Sequence, residues 1–370
     1  MSNPKRAMAR MVRIDAIDPI EGADRIVAAH VGGWVVVIGK GDFEAGDLAV
    51  FFETDTFLPS DDPRYARFAE RGEKEMMVDG AAKRGHVLRT ARLRGVYSQG
   101  LLMRPQDVLP SSIPEYAYET MREDRANLTS LCGVREYDPI RTTDQGNMSI
   151  LRRYDPWVAP RTDAERIQNV SEEAFAIVKK TSYIVSVKVD GTSITMLNDP
   201  RYNKIRLFSH NNELATDDGF GRQVYEQAEK QGLVAWLGAN VGVTLQMEAC
   251  GPKINGNRLG LKAMRLFVFS AWDTEGCRYL NPYNFSDEAV RNALTPKLGS
   301  NLGGFDKTTD LIEYVDGIKG HVTDRLDEGV VIHILGNLTA TQEEWFALAN
   351  ELGAQMQVKV ISNKYLLRSK

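Results

Sequence analysis

Ser186-Val187-Lys188-Val189-Asp190-Gly191-Thr192-Ser193 is the stretch on which the reading of this chain turns. The segment leading into it, Tyr183-Ile184-Val185-Ser186-Val187, is apolar and β-branched, the composition of a strand. Lys188 stands at its end, with an acid two residues on and a glycine three on. Apolar flanks desolvate a lysine, which lowers its pKa and frees its amine as a nucleophile. Gly191 lets backbone approach a phosphate or sugar closely. Alone, Lys-x-Asp-Gly is also a hairpin turn with a solvated lysine, so the rest of the chain has to decide.

Five segments follow in order. Leu207-Phe208-Ser209-His210-Asn211-Asn212-Glu213 comes first, then Leu245-Gln246-Met247-Glu248-Ala249-Cys250-Gly251-Pro252, a strand carrying an acid into a turn. Leu266-Phe267-Val268-Phe269 is an aromatic strand, and Leu326-Asp327-Glu328-Gly329-Val330-Val331-Ile332 opens a strand with an acid and a glycine. Gln357-Val358-Lys359-Val360-Ile361-Ser362-Asn363-Lys364-Tyr365 closes the series. Each has an ordinary reading. Lys359 alone is a surface lysine, Phe267 and Phe269 are core residues, and Glu328 is a turn residue. Glu248 lies opposite the alternation Val243, Leu245, Met247, Ala249, on a face that solvent alone would explain. Their ordered occurrence over roughly 170 residues outweighs these readings.

The Lys-x-Asp-Gly motif resembles the active-site motif of covalent nucleotidyltransferases: DNA ligases, RNA ligases and mRNA capping enzymes. Joined by Thr162-Asp163-Ala164-Glu165-Arg166-Ile167-Gln168-Asn169, the series is similar to the ATP-dependent RNA ligases in which an OB module precedes the nucleotidyltransferase domain. The first half shares the likeness through Gly22–Ile26, Gly33–Val37, Gly46–Val50 and Arg92–Leu101. It is weakest from Pro110 to Pro160 and from Cys277 to Thr323. The resemblance implies that Lys188 attacks the α-phosphorus of ATP and carries AMP. It implies that Asp190, Glu248 and Glu328 surround Mg²⁺ or Mn²⁺ through its waters, and that Lys359 neutralises the α-phosphate. Phe269 would stack on adenine, with Phe267 on the same strand face as second choice. Gly191 and Gly329 would allow close backbone approach, and Lys364 would assist with phosphates. Gln168 and Asn169 are candidates for nucleotide contact, and Arg166, Arg206 and His210 for RNA-end contact. Two positions depart from the family pattern. His210 replaces an expected arginine, and Gln357 replaces the first lysine of a Lys-x-Lys pair, hydrogen bonding without neutralising charge.

The fold expected is α+β: an OB-type β-barrel over 1–110, a linker with a helical segment over 111–161, and a nucleotidyltransferase domain over 162–370. The barrel is read from about five short strands with glycine corners, including a hairpin of Ile26–Val31 and Trp34–Ile38 around Gly32-Gly33. Arg64–Glu75 and Glu115–Leu131 have a helical look, and Asp163–Ile167 reads as a capped first helical turn. Hydrophobic residues at 43% and charged residues at 26% are those of a globular domain protein. Three scattered cysteines form neither a disulfide framework nor a zinc pattern. No apolar run approaches the ~20 residues that span a bilayer, and the basic start lacks a signal-peptide core, so a cytoplasmic monomer is expected.

With a net charge of −4, RNA binding has to be local. Lys83, Arg84, Arg89, Arg92 and Arg94 form the densest basic cluster of the first domain, and period two puts Arg92 and Arg94 on one strand face. The reaction expected is sealing of a 3′-hydroxyl to a 5′-phosphate through lysyl–AMP and RNA–adenylate, at nicks with RNA on the 3′-hydroxyl side, as in RNA repair. A capping guanylyltransferase is the first alternative. It would place an OB module after the last motif, where only eleven residues follow Lys359. A catalytically silent RNA-binding scaffold is the second, with Gln357 and His210 in its favour.

Overall fold

The computed structural model describes residues 6–138, 149–161, 164–299, 301–353 and 356–368. They fall into two compact units, the first holding the described residues up to 138 together with 366–368 and the second those from 149 to 365.

The first unit is built of short strands. One three-stranded sheet has the order Ala9–Arg13, Leu48–Phe52, Leu101–Met103, and a second is the meander Ala16–Pro19, Ile26–Val31, Trp34–Gly39. Val31 pairs with Trp34, so Gly32-Gly33 is a two-residue turn, and Gly32 takes the positive φ of 56° such a turn requires. Trp34, Val36 and Ile38 alternate into a core with Ile14, Ala29, Val31 and Phe51, so Trp34 fills the interior. A four-stranded sheet has the order Arg135–Glu136, Thr56–Pro59, Ala81–Val87, Lys74–Val78. The expected helix Arg64–Glu75 is a 3₁₀ segment, Ala66–Arg71, and Glu115–Leu131 contracts to a helix over Ala117–Glu123.

The second unit has two sheets. The seven-stranded one runs Ile150–Arg153, Asn212–Leu214, Lys204–Ser209, Thr192–Asp199, Val243–Cys250, Arg265–Asp273, Arg278–Leu280, antiparallel throughout. The five-stranded one runs Glu165–Arg166, Gln357–Ile361, Gly329–Asn337, Thr181–Lys188, Lys297–Leu298, and only the first pair is parallel. The mixture is α+β. Glu165–Arg166 is thus a strand followed by a 3₁₀ turn, Ile167–Asn169, rather than the start of an α-helix; Thr162 and Asp163 lie outside the described residues.

Helices cover one face of each sheet. Glu172–Val178, Thr308–Val315 and Gln342–Leu352 pack on Val185, Val330, Ile332, Val358 and Val360. Gly219–Lys230, Leu233–Ala239 and Glu288–Ala293 pack on Ile194, Met196, Leu245, Met247 and Val268. Strand alternation then places the intervening residues, among them Lys188, Lys359 and Glu248, on the faces turned away from these cores. Among the described residues no helix is long and apolar enough to cross a membrane.

Candidate active site

Lys188 is the last residue of its strand and pairs with Gly329. Thr192 then pairs with Ala249 in the other sheet, so Val189-Asp190-Gly191 carries the chain from the five-stranded to the seven-stranded sheet. The motif is a crossing between sheets, not a hairpin turn. Backbones crowd here. A Cβ on Gly191 would lie 2.2 Å from the Ala249 carbonyl oxygen, and one on Gly329 would lie 2.0 Å from that of Val360. The close approach these glycines permit is between strands of the protein itself.

Glu328 immediately precedes Gly329 and therefore stands beside the strand end: its Oε1 lies 2.7 Å from Lys188 Nζ. Glu248 Oε1 accepts a 3.0 Å hydrogen bond from the Gly191 N–H. Burial pulls the Lys188 pKa down, but Glu328, Glu248 and Asp190 together outweigh it, and the net shift is upward. This corrects the expectation from apolar flanks: neighbouring charge, not desolvation, sets the sign. Burial drives Glu248 up to about 8, against the pull of Lys188 and with the support of Glu328 and Asp190. Burial likewise raises Glu328.

The carboxylates are therefore under-compensated, and the buried Glu328 Oε2 has no hydrogen-bond partner among the described residues. That is an environment suited to added positive charge. Among the described residues no three carboxylate, histidine or cysteine side chains converge as a direct ligand set. Asp190 is held by the protein itself. Tyr365 Oη donates to its Oδ2 at 2.6 Å, Asn255 Nδ2 to its Oδ1 at 3.2 Å, and Arg258 Nη1 lies 3.4 Å from Oδ2. A cation held by Glu248 and Glu328 through its waters fits this arrangement; three direct carboxylate bonds do not.

Sheet register brings further predicted residues to the Lys188 face. Ser186 pairs with Val331, Val331 with Lys359, and Lys359 with Arg166, and paired residues point to the same side. Lys359 is close enough to Glu328 to lower its pKa. Gln357 shares that face through its pairing with His333, and both line a small cavity with Phe269, Tyr279 and Tyr283. Phe269 is the unpaired residue of a β-bulge, since Met247 pairs with Val268 and Gln246 with Ser270. Phe267 packs instead with Val187, Val189, Cys250 and Leu259. The bulge, invisible to period-two reasoning, thus separates the two phenylalanines. Gln168 is buried in the 3₁₀ turn with its Nε2 unpartnered among the described residues, whereas Asn169 donates to Glu165 at 2.7 Å. Lys364 is exposed on the short helix Asn363–Leu367.

Several residues lie elsewhere or are otherwise engaged. Arg206 is fully buried, with Nη1 2.7 Å from Asp199, Nη2 2.6 Å from Glu213 and Nη1 3.1 Å from Asp155; it is a structural cation, not an RNA contact. His210 sits in the turn after Ser209. In the first unit Arg84 pairs with Glu73 at 2.7 Å and Arg89 with Asp55, while Arg92 lies over the Tyr97 ring. Arg94 leaves the strand Ala91–Leu93 and takes φ 47° in the following turn, so it does not share a strand face with Arg92. Tyr365, Asn255, Arg258, Ser186 and His333 carry no recognisable spacing; Ser186 Oγ lies 3.0 Å from His333 Nε2, and burial lowers the imidazole to about 4, keeping it neutral.

Residues 8–105 match a family model described as an OB-fold domain, and residues 181–346 match the RNA ligase family. No curated protein matches the chain. Among solved structures, the Naegleria gruberi RNA ligase with pyrophosphate is 26% identical, with a TM-score of 0.78 and 98% of each chain covered. A variant of the same ligase with ATP and manganese is 26% identical at a TM-score of 0.77, again covering 98% of each chain. Another with AMP and manganese is 27% identical at a TM-score of 0.78, covering 98% of this chain and 99% of that one. Residues 181–346 are thus an RNA ligase family domain, that of a covalent nucleotidyltransferase, and the chain is built as an OB-fold domain followed by this ligase domain.

Proposed function

We propose that this protein joins RNA 3′-hydroxyl and 5′-phosphate ends with ATP, through Lys188–AMP, and that its substrate is a nick in a duplex with RNA on the 3′-hydroxyl side. The observation that carries the reading is the 2.7 Å approach of Lys188 Nζ to Glu328 on a face shared with Lys359. In the first step Lys188 Nζ, having lost its proton, forms a bond to the α-phosphorus; the bond to the β-phosphate oxygen breaks and pyrophosphate leaves with the electron pair. In the second an oxygen of the RNA 5′-phosphate takes the α-phosphorus and the lysine amine departs. In the third the 3′-hydroxyl attacks the 5′-phosphorus, forming the phosphodiester and releasing AMP.

Lys359 neutralises charge growing on the α-phosphate oxygens. In this reading Phe269 stacks on the base, and Gln168 offers a buried donor on the 3₁₀ turn that follows the strand paired with Lys359. Asp190 is positioned by Tyr365 and Asn255. Glu248 and Glu328 would hold Mg²⁺ or Mn²⁺ through its waters, and the ion would supply positive charge that favours the neutral Lys188 amine and the transferring adenylyl group. Gln357 keeps hydrogen-bonding capacity without charge, which is the feature favouring a silent scaffold.

Incubation with [α-³²P]ATP and either metal, followed by a denaturing gel, tests the reading. Wild type takes up label and Lys188→Ala does not; GTP gives none. Label from GTP instead selects capping chemistry, and no label from folded wild type selects the silent scaffold.

A further inference from the structure

Resting on that ligase reading, we infer that the connection after the Glu248 strand, residues 251–264, together with the start of the next strand, is a subsite for the phosphate backbone of the RNA flanking the nick. The two strands it joins, Val243–Cys250 and Arg265–Asp273, are antiparallel neighbours. A hairpin needs only ~2–5 residues for such a link, and ordered connections much longer than that tend to carry function. This one contains Lys253, Arg258 and Lys262 and runs into Arg265, with no aspartate or glutamate from Pro252 to Arg265. In a chain of net charge −4, that is a local reversal of sign.

The connection is tied to the catalytic turn. Asn255 Nδ2 donates to Asp190 Oδ1 at 3.2 Å and also to the Gly191 carbonyl. Asn257 exchanges hydrogen bonds with the Leu261 backbone at 2.9 and 3.0 Å, and Arg325 Nη1 donates to the Arg258 carbonyl at 2.8 Å. Ile254 and Leu259 are buried. Anchored so, the segment presents its cations without paying heavily in conformational entropy when an anion binds. Lys253 and Lys262 are exposed, as is Lys230 at the end of the helix alongside, and none of the three has an ion-pair partner among the described residues. Lys230, Lys262 and Arg265 line one open groove with Gln227 and Asn292, and no acid contributes to its lining. Cations and amide groups without carboxylates suit a chain of phosphates.

The test uses the full-length protein, wild type and Lys230→Gln/Lys253→Gln/Lys262→Gln, with a fluorescent nicked RNA duplex bearing a 5′-phosphate at the nick. Affinity is measured by anisotropy across a salt series, lysyl–AMP formation by label. The variant is expected to melt as wild type does, to bind at least about tenfold more weakly near 0.1 M salt, and to show a salt slope smaller by about three. Lys262→Gln alone reduces the slope by about one, a reading that survives if the triple variant folds poorly. Unchanged affinity and slope overturn the assignment whatever the labelling shows. Intact RNA affinity with lysyl–AMP formation impaired only at limiting ATP also overturns it, in favour of contact with the nucleotide's phosphates. Absence of label in wild type itself is read on the other channel and counts against the ligase chemistry, not against the groove.

Discussion

Lys188 and Glu248 carry the electrostatic character of the site in opposite senses. Lys188 is held protonated by three carboxylates, and Glu248 is held toward neutrality at about 8 by burial. A carboxyl whose folded pKa lies above its unfolded value stabilises the fold below the unfolded pKa. That stabilisation is lost as pH rises through the folded value. For Glu248 the window runs from about 4.5 to about 8. Glu248→Gln removes the charge, so in metal-free thermal melts the variant should melt above wild type at pH 8, and the difference should close by pH 5. A difference that grows toward acid would show that Glu248 is ionised in the fold. At Lys188 the expected loss is complete: Lys188→Ala abolishes lysyl–AMP without lowering the melting temperature by more than a few degrees, checked by gel and melt together.

Among the elements, the pairing of the Lys188, Gly329 and Lys359 strands is what assembles the face. Gly329 sits where a Cβ would meet the Val360 carbonyl at 2.0 Å. Gly329→Ala should therefore push the Lys359 strand away and cost about 1–3 kcal/mol or more, read by denaturant melts, with lysyl–AMP formation falling as Lys359 and Glu328 move. The Lys204–Ser209 strand makes the complementary case. Arg206 is enclosed by Asp155, Asp199 and Glu213, and leaving those carboxylates buried and unpaired costs about 3–5 kcal/mol. Arg206→Met should lower stability by that order while the RNA affinity of the remaining folded protein stays at the wild-type value; a selective loss of RNA affinity at full stability would return Arg206 to the list of RNA contacts.

Across the whole molecule, net charge says little about RNA binding, because the basic groups differ in how far they are already neutralised. Arg84 and Arg89 are engaged with Glu73 and Asp55, while Arg92 and Arg94 have no carboxylate partner among the described residues. Displacing an existing ion pair offsets the gain from a phosphate. Arg92→Ala/Arg94→Ala should thus weaken binding of nicked RNA more than Arg84→Ala/Arg89→Ala, compared by anisotropy at one salt concentration. Equal losses would mean that the ion pairs of the free protein open on binding.

The order of the motifs, the strands that carry them, the α+β class and the OB-fold followed by a ligase domain were legible in the sequence. They rest on local composition, period-two alternation and the succession of segments along the chain. The hairpin around Gly32-Gly33 and the exposure of Glu248 to the face opposite Leu245 and Met247 are of this kind. What the tertiary structure alone decided depends on residues brought together from far apart. The pKa of Lys188 follows from acids at 248 and 328, the crowding of Gly191 from Ala249 and Cys250, and the anchoring of Asp190 from Asn255 and Tyr365. The bulge at Phe269 and the enclosure of Arg206 belong with them. Periodicity reports which face a side chain takes; which charge waits on that face is set by the strand paired or packed opposite, and no local pattern encodes it.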